Sequence, residues 1–296
     1  MRPMMITALA LGLLSGSALP ATQTVEETRS VAADVRLSIE TIAGSIRITA
    51  WDREEVHVSG TLGDDVEALE ISGNRSSLSI EVEVPDRMGR GRRDIDADLE
   101  LQVPAGARLS VETVSAPIEV SGISGNLEAE SVSGYITVEG SPTRVQLETV
   151  SGPITVIGAD SAVSAESVSG SIEISGAAGR VEVATVSGTI EIGSGVVENG
   201  DFETVAGSIT FSGRLASGAR LDFEAHSGNV VLTLPAETSA RFDVETFSGN
   251  IENEFGPQAE RTDRYAPGKQ LDFTLGGGDA RVSIETFSGT VRLRQE

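Results

Sequence analysis

Between Arg144 and Val156 apolar and polar residues alternate. Val145, Leu147 and Thr149 fall on one side, Gln146 and Glu148 on the other, and beyond Ser151-Gly152 the residues Ile154 and Val156 rejoin the first side. A period of two is the pattern of strands with one buried face. The phrase Glu-Thr/Ser-Val-Ser-Gly-x-Ile-x-Val then recurs along the chain. Its glycines stand 18 residues apart at Gly134, Gly152, Gly170 and Gly188, then at Gly207, Gly228 and Gly249, with Gly44 early and Gly289 late. Self-similarity at a fixed spacing marks a repeat architecture, in which each unit buries its apolar face only against its neighbours.

Each repeat reads as two short strands, a tight Ser-Gly turn whose glycine is expected at positive φ, and a second turn rich in Gly, Ser, Ala and Asp. Such units can form an antiparallel meander of consecutive strands, or a solenoid in which each strand pairs with its counterpart one repeat away. The constant pitch favours the solenoid, since stacked coils must stay in register. Pro117 and Pro153, directly after the tight turn, fit a corner that needs no ladder donor. The predicted fold is therefore all-β: a single-chain parallel β-solenoid (β-helix) of about 18-residue two-strand repeats. The regular coils span residues 108–252, after a less regular β region at 22–107 and before a loop or cap with terminal strands at 253–296.

Ladders follow from the register. Val145, Val163 and Val181, with Ile136, Ile154 and Ile172 opposite, are expected inside. Glu112, Glu130, Glu148, Glu166, Glu203, Glu224, Glu245 and Glu285 are expected outside, with Arg108, Arg144, Arg180, Arg220, Arg241 and Arg281 four residues earlier to offset their repulsion. Strict alternation also puts Val132, Val150, Val168, Val186, Phe247 and Phe287 outside as an apolar stripe, whereas a bulge at the corner would turn them in. The presence of His226 in that column favours the outward reading.

Composition narrows the function. With 22 Lys+Arg against 45 Asp+Glu the formal charge is −23, which excludes a general nucleic-acid or anionic-membrane binder. Residues 1–21 carry Arg2, an apolar run from Ile6 to Leu14 and then small residues, the form of a secretory signal cleaved after Ala18 or Ala21. Later segments are too polar to span a bilayer as a helix, so the mature chain is expected to be exported, periplasmic or extracellular, without a transmembrane segment. There is no cysteine, hence no disulfide and no thiol chemistry.

Catalytic signals are sparse. His57 and His226 are the only histidines, and neither has a partner at metal-ligand spacing. The Ser-Gly steps are turns, not nucleophile elbows. Asp201, Asp222 and Asp243 stand two residues before Glu203, Glu224 and Glu245, so three successive rungs would present six outward carboxylates, a candidate weak calcium site. The same carboxylates support the alternative of a polysaccharide-active β-helix enzyme. Two surface loops stand out: Asp86–Asp98, with Arg87, Arg90, Arg92 and Arg93, and Asn253–Lys269, with Phe255, Arg261, Arg264 and Tyr265. The second loop, with Ser212–Ala219 and Pro235–Ala240, forms a candidate binding edge for an envelope protein or glycan; alternatively it caps the open end of the coil. No cofactor is expected.

The repeats, together with Ile46-Arg47-Ile48-Thr49-Ala50-Trp51-Asp52-Arg53-Glu54-Glu55-Val56 and Leu101-Gln102-Val103-Pro104-Ala105-Gly106-Ala107, resemble the bacterial putative-adhesin family of β-strand-repeat domains. The resemblance covers roughly residues 30–296 and implies an exported, non-catalytic scaffold or adhesion-like module of the cell envelope. It carries no catalytic motif to transfer.

Overall fold

The computed structural model describes residues 23–85, 94–158, 162–262 and 267–296. Residues 1–21, expected to be a secretory signal, together with Arg87, Arg90, Arg92 and Arg93 and with Arg264 and Tyr265, lie outside the described residues. Within them the chain is all-β, with 25 strands in one hydrogen-bonded system and no helix.

The strands fall on two walls. Those before each Ser-Gly turn form the first wall: Arg108–Thr113, Asn126–Ser131, Arg144–Thr149, Ala162–Ser167 and Ala178–Thr185 pair in parallel, neighbour to neighbour. Those after the turn form the second wall: Ile118–Ser121, Ile136–Glu139, Ile154–Ile157 and Ile172–Ser175 pair the same way. Here the register is 18 residues, so Val145 lies between Leu127 and Val163, and Ile154 between Ile136 and Ile172. Like residues therefore stack on like. The inward sets meet between the walls, and Val145, Leu147, Ile154 and Val156 are fully buried there. Farther along, aromatic rings fill the same core, with Phe202 stacked on Phe223 at 4.8 Å.

The repeat is not uniform. Ile190–Thr204 and Ile209–Ser227 each run as one strand from the second wall through the outer turn into the next first-wall position, with register shifts near Gly193 and Val197. At both ends the order of rungs departs from the order of the chain. Arg36–Thr41 lies between Ser77–Glu83 and Arg108–Thr113. Ala280–Ser288 lies between Ile209–Ser227 and Ala240–Thr246, and Thr290–Gln295 between Val230–Leu234 and Asn250–Asn253. The last two strands of the chain are thus an internal rung of the stack.

Antiparallel strands cover the terminal coils. Glu55–Leu62 and Ala68–Asn74 lie on one end, and Lys269–Leu275 lies on the other against Ala240–Thr246. Such covers satisfy backbone groups that would otherwise recruit another chain.

The two turns need glycine for different reasons. In the Ser-Gly column the expected positive φ occurs at the early Gly44 but not from Gly134 to Gly289; there it falls instead at the opposite turn, at Gly122, Gly140, Gly158 and Gly176. At the Ser-Gly turn the requirement is close approach: a Cβ on Gly152 would lie 1.9 Å from the carbonyl oxygen of Gly134 on the rung below. Backbone stacks on backbone there, leaving no room for a side chain.

Candidate binding groove

The Glu-Thr/Ser-Val-Ser-Gly phrase builds a corner. Glu148 points outward, Thr149 turns inward, and Val150 points out again with 46% of its surface exposed. Inside the corner the Thr149 hydroxyl accepts a hydrogen bond from the Gly152 N–H at 3.0 Å, and Ser131, Ser167 and Thr185 do the same for Gly134, Gly170 and Gly188. The Ser151 hydroxyl then donates to the Val132 carbonyl of the previous rung at 3.2 Å, a contact repeated by Ser133, Ser169 and Ser187. The short polar residues of the phrase thus satisfy backbone groups within and between rungs, while the valine between them is left facing solvent.

This decides the stripe as outward-facing. Val114, Val132, Val150, Val168, Val186 and Val205 are each close to half exposed. The column continues into rings: His226 stacks on Phe287 at 4.8 Å and 6°, and Phe287 stacks on Phe247 at 4.8 Å and 8°. Phe287 sits between the other two because its rung is inserted there.

Beside the stripe runs a carboxylate ladder. In spatial order it is Glu81, Glu40, Glu112, Glu130, Glu148 and Glu166, then Ala184, then Glu203, Glu224, Glu285 and Glu245. The glutamate row is thus interrupted only at Ala184. The expected arginine compensation is not observed: Arg108 pairs with Asp34 and Arg180 with Glu182, and no ion pair among the described residues involves a ladder glutamate. Partial burial, followed by the charges of Glu148, Glu112 and Glu128, holds the Glu130 carboxyl above its ordinary range.

Ladder and stripe form the two sides of a groove of about 1160 Å³ that extends from the Glu112 rung to the Glu245 rung. Thr and Ser of the corner make its floor, and Thr262, Pro267 and Gly268 stand at its far end. In that far half the hydroxyls of Thr204, Thr246 and Thr286 are buried without a hydrogen-bond partner.

The other candidates are dispersed. Asp201 and Asp222, with Glu203 and Glu224, do occupy adjacent rungs. Asp243 and Glu245 do not follow them, because the Ser283–Glu285 rung intervenes; the three-rung grid is therefore broken by chain insertion. Burial, then Asp222 and Glu182, pushes the Asp201 carboxyl up. Asp243 is raised by burial and by Asp272 across the antiparallel pair, against the opposing effect of Arg281. Among the described residues no group of three or more His, Cys, Asp or Glu is placed to hold a metal ion.

The 254–268 segment does not line up with the outer turns. Its described parts, residues 254–262 and 267–268, adjoin Asn250–Asn253 on the second wall and Lys269–Leu275, the antiparallel cover of Ala240–Thr246. Phe255 packs inward, its ring 6.4 Å from Phe242, and Arg261 is exposed on a short strand paired with Lys269. His57 sits at the opposite end, hydrogen-bonded to the Thr28 hydroxyl at 3.0 Å and 6.4 Å from Trp51.

Sequence reasoning missed Glu40 and Glu81 as ladder members. The signal was present for Glu40: Arg36-Leu-Ser-Ile-Glu-Thr41 nearly repeats Arg108-Leu-Ser-Val-Glu-Thr113, and the two are neighbours in space.

No curated protein matches this chain. Among solved structures, a protein from Parabacteroides distasonis described as a "putative lipid binding protein" aligns with 91% of this chain and 96% of its own at 15% identity and a TM-score of 0.53. Proteins described as a "putative adhesin" from Bacteroides fragilis (12% identity, 93% and 98% covered, TM-score 0.48) and Parabacteroides merdae (11%, 92% and 96%, 0.49) align over similar lengths. At 15% identity the likeness to the first of these concerns the fold alone. The sequence itself matches the Toastrack family, DUF4097, over residues 35–294, a span that takes in both walls and both covered ends, and the chain belongs to that family.

Proposed function

We propose that the protein is a non-catalytic interaction module of the bacterial cell envelope, built as a β-solenoid scaffold, with the groove between the glutamate ladder and the apolar stripe as its contact surface. The observation that carries this reading is the stripe itself, six half-exposed valines in register followed by a stack of rings. A soluble chain seldom keeps so continuous an apolar strip in water unless something covers it. The uniformity of the ladder points the same way. Catalysis needs groups of different environment converging on one reacting atom, whereas the ladder offers the same carboxylate on rung after rung. That suits a long ligand. The signal-like pattern of residues 1–21 supports an exported chain, whose groove would then face the envelope.

Site-specific photo-crosslinking in cells tests the reading. A photoreactive residue in place of Val168, in the groove, is expected to capture a discrete envelope component, and one in place of Glu191, exposed on the second wall, is not. Equal capture from both positions, or recovery of the chain in the cytoplasmic fraction, refutes it.

A further inference from the structure

The groove has a composition that selects among occupants. One side is apolar along its length, and the other is a row of carboxylates without cationic partners among the described residues. Repetition at strand spacing sets like charges directly opposite one another, which is unfavourable until a counter-charge arrives. Beneath the ring stack, Thr246 and Thr286 keep hydroxyls that are buried yet unpartnered, although the equivalent hydroxyls of Thr149 and Thr185 are satisfied.

An occupant must therefore be cationic and apolar at once, and long. An anionic membrane is repelled by the ladder. A neutral glycan leaves the carboxylates facing one another, and a small polyamine leaves the stripe in water. A second copy of this chain brings an identical ladder to the contact.

From the Glu112 rung to the Glu245 rung there are nine rungs, which at strand spacing span roughly 38 Å. An extended polypeptide covers that distance with about 12 residues. Because its successive side chains point to opposite sides, it can address the two sides of the groove separately.

Resting on the interaction reading above, we infer that the groove takes a linear segment of a partner protein in which basic and apolar side chains alternate. The basic side chains reach the glutamate ladder, and the apolar ones lie on the valine stripe and the ring stack. The segment runs along the axis of the coil, across the strands, so recognition is carried by side chains and not by strand addition.

The test uses the full chain and a fluorescein-labelled twelve-residue peptide alternating Lys and Leu, at nanomolar concentration, read by fluorescence anisotropy. Binding is expected to be saturable and to weaken as salt rises. The pair Glu148→Gln/Glu166→Gln and the pair Val150→Ser/Val168→Ser are each expected to raise Kd by about five-fold or more. The pair Glu173→Gln/Glu191→Gln on the second wall leaves it unchanged. All of these side chains face solvent, and melting curves matching the wild type confirm that each variant is folded. A Lys-Ser peptide or spermine binding as tightly as the Lys-Leu peptide overturns the proposal, as does binding indifferent to both groove pairs. If the Lys-Leu peptide fails while a photoreactive residue at Val168 still captures an envelope component, the polypeptide occupant is wrong and the interaction reading stands. If both fail, both fall.

Discussion

The Ser-Gly turn makes a quantitative prediction. In Gly152→Ala the new Cβ would meet the Gly134 carbonyl oxygen at 1.9 Å and its carbon at 2.6 Å. Reaching even a tight contact requires the two rungs to part locally by roughly 1.1 Å. The same rungs are tied by the Ser151 N–H to the Val132 carbonyl at 3.0 Å and by the Ile136 N–H to the Pro153 carbonyl at 3.0 Å. Overpacking against backbone costs about 1–3 kcal/mol, and weakening two inter-rung hydrogen bonds adds about 1 kcal/mol each. The expected loss is about 3–5 kcal/mol.

Gly158, in the same repeat, supplies the control. Its φ is +82° and its nearest added-Cβ contact is an ordinary 3.6 Å, so Gly158→Ala should cost only the left-handed penalty of about 1–2 kcal/mol. Urea denaturation followed by far-ultraviolet circular dichroism measures both. Hydrogen exchange should show the Gly152→Ala loss centred on the rungs at 132–136 and 150–154. If Gly152→Ala is as mild as Gly158→Ala, or milder, the close-stacking argument is wrong and positive φ is what constrains glycine in this coil.

Four further predictions are read by the same denaturation, at varied pH where titration is at issue. Thr149→Val removes the acceptor of the Gly152 N–H and should cost about 1–3 kcal/mol, whereas Thr246→Val, which removes an unpartnered hydroxyl, should be neutral or stabilising; the reverse order would show that the hydroxyls do not close the corner. Glu130 titrates above its ordinary value in the folded state, so its ionisation opposes folding, and stability should rise as pH falls from neutral toward the ordinary carboxylate range. Glu130→Gln should raise the midpoint at pH 7 and flatten that rise. Glu119 acts oppositely: hydrogen bonds from Tyr135 and Arg47 hold it low, so its stabilisation persists above the ordinary value and is lost only as pH falls through the lowered one. Phe255→Ala should cost about 1–3 kcal/mol by uncovering Phe242 and should increase light scattering on storage, while unchanged scattering would argue against the capping role.

The alternation and the 18-residue pitch were enough to assign strands, inward ladders and outward glutamates, because a period of two leaves a strand only one way to bury valine and isoleucine. The outward stripe was legible for the same reason, with His226 as the clue. Three things were decided only by tertiary structure. Rung order at the ends depends on which coil a strand joins, and since Arg281-Val-Ser-Ile-Glu-Thr286 and Arg241-Phe-Asp-Val-Glu-Thr246 fit the ladder equally well, local pattern cannot rank them. That insertion separates Asp222 from Asp243 and brings Phe287 between His226 and Phe247. The reason for each glycine was likewise hidden, because Gly152 and Gly158 are the same letter. One is required by a backbone lying against it from 18 residues away and the other by its own φ, and only packing distinguishes a constraint imposed by a neighbour from one imposed by the chain's own conformation.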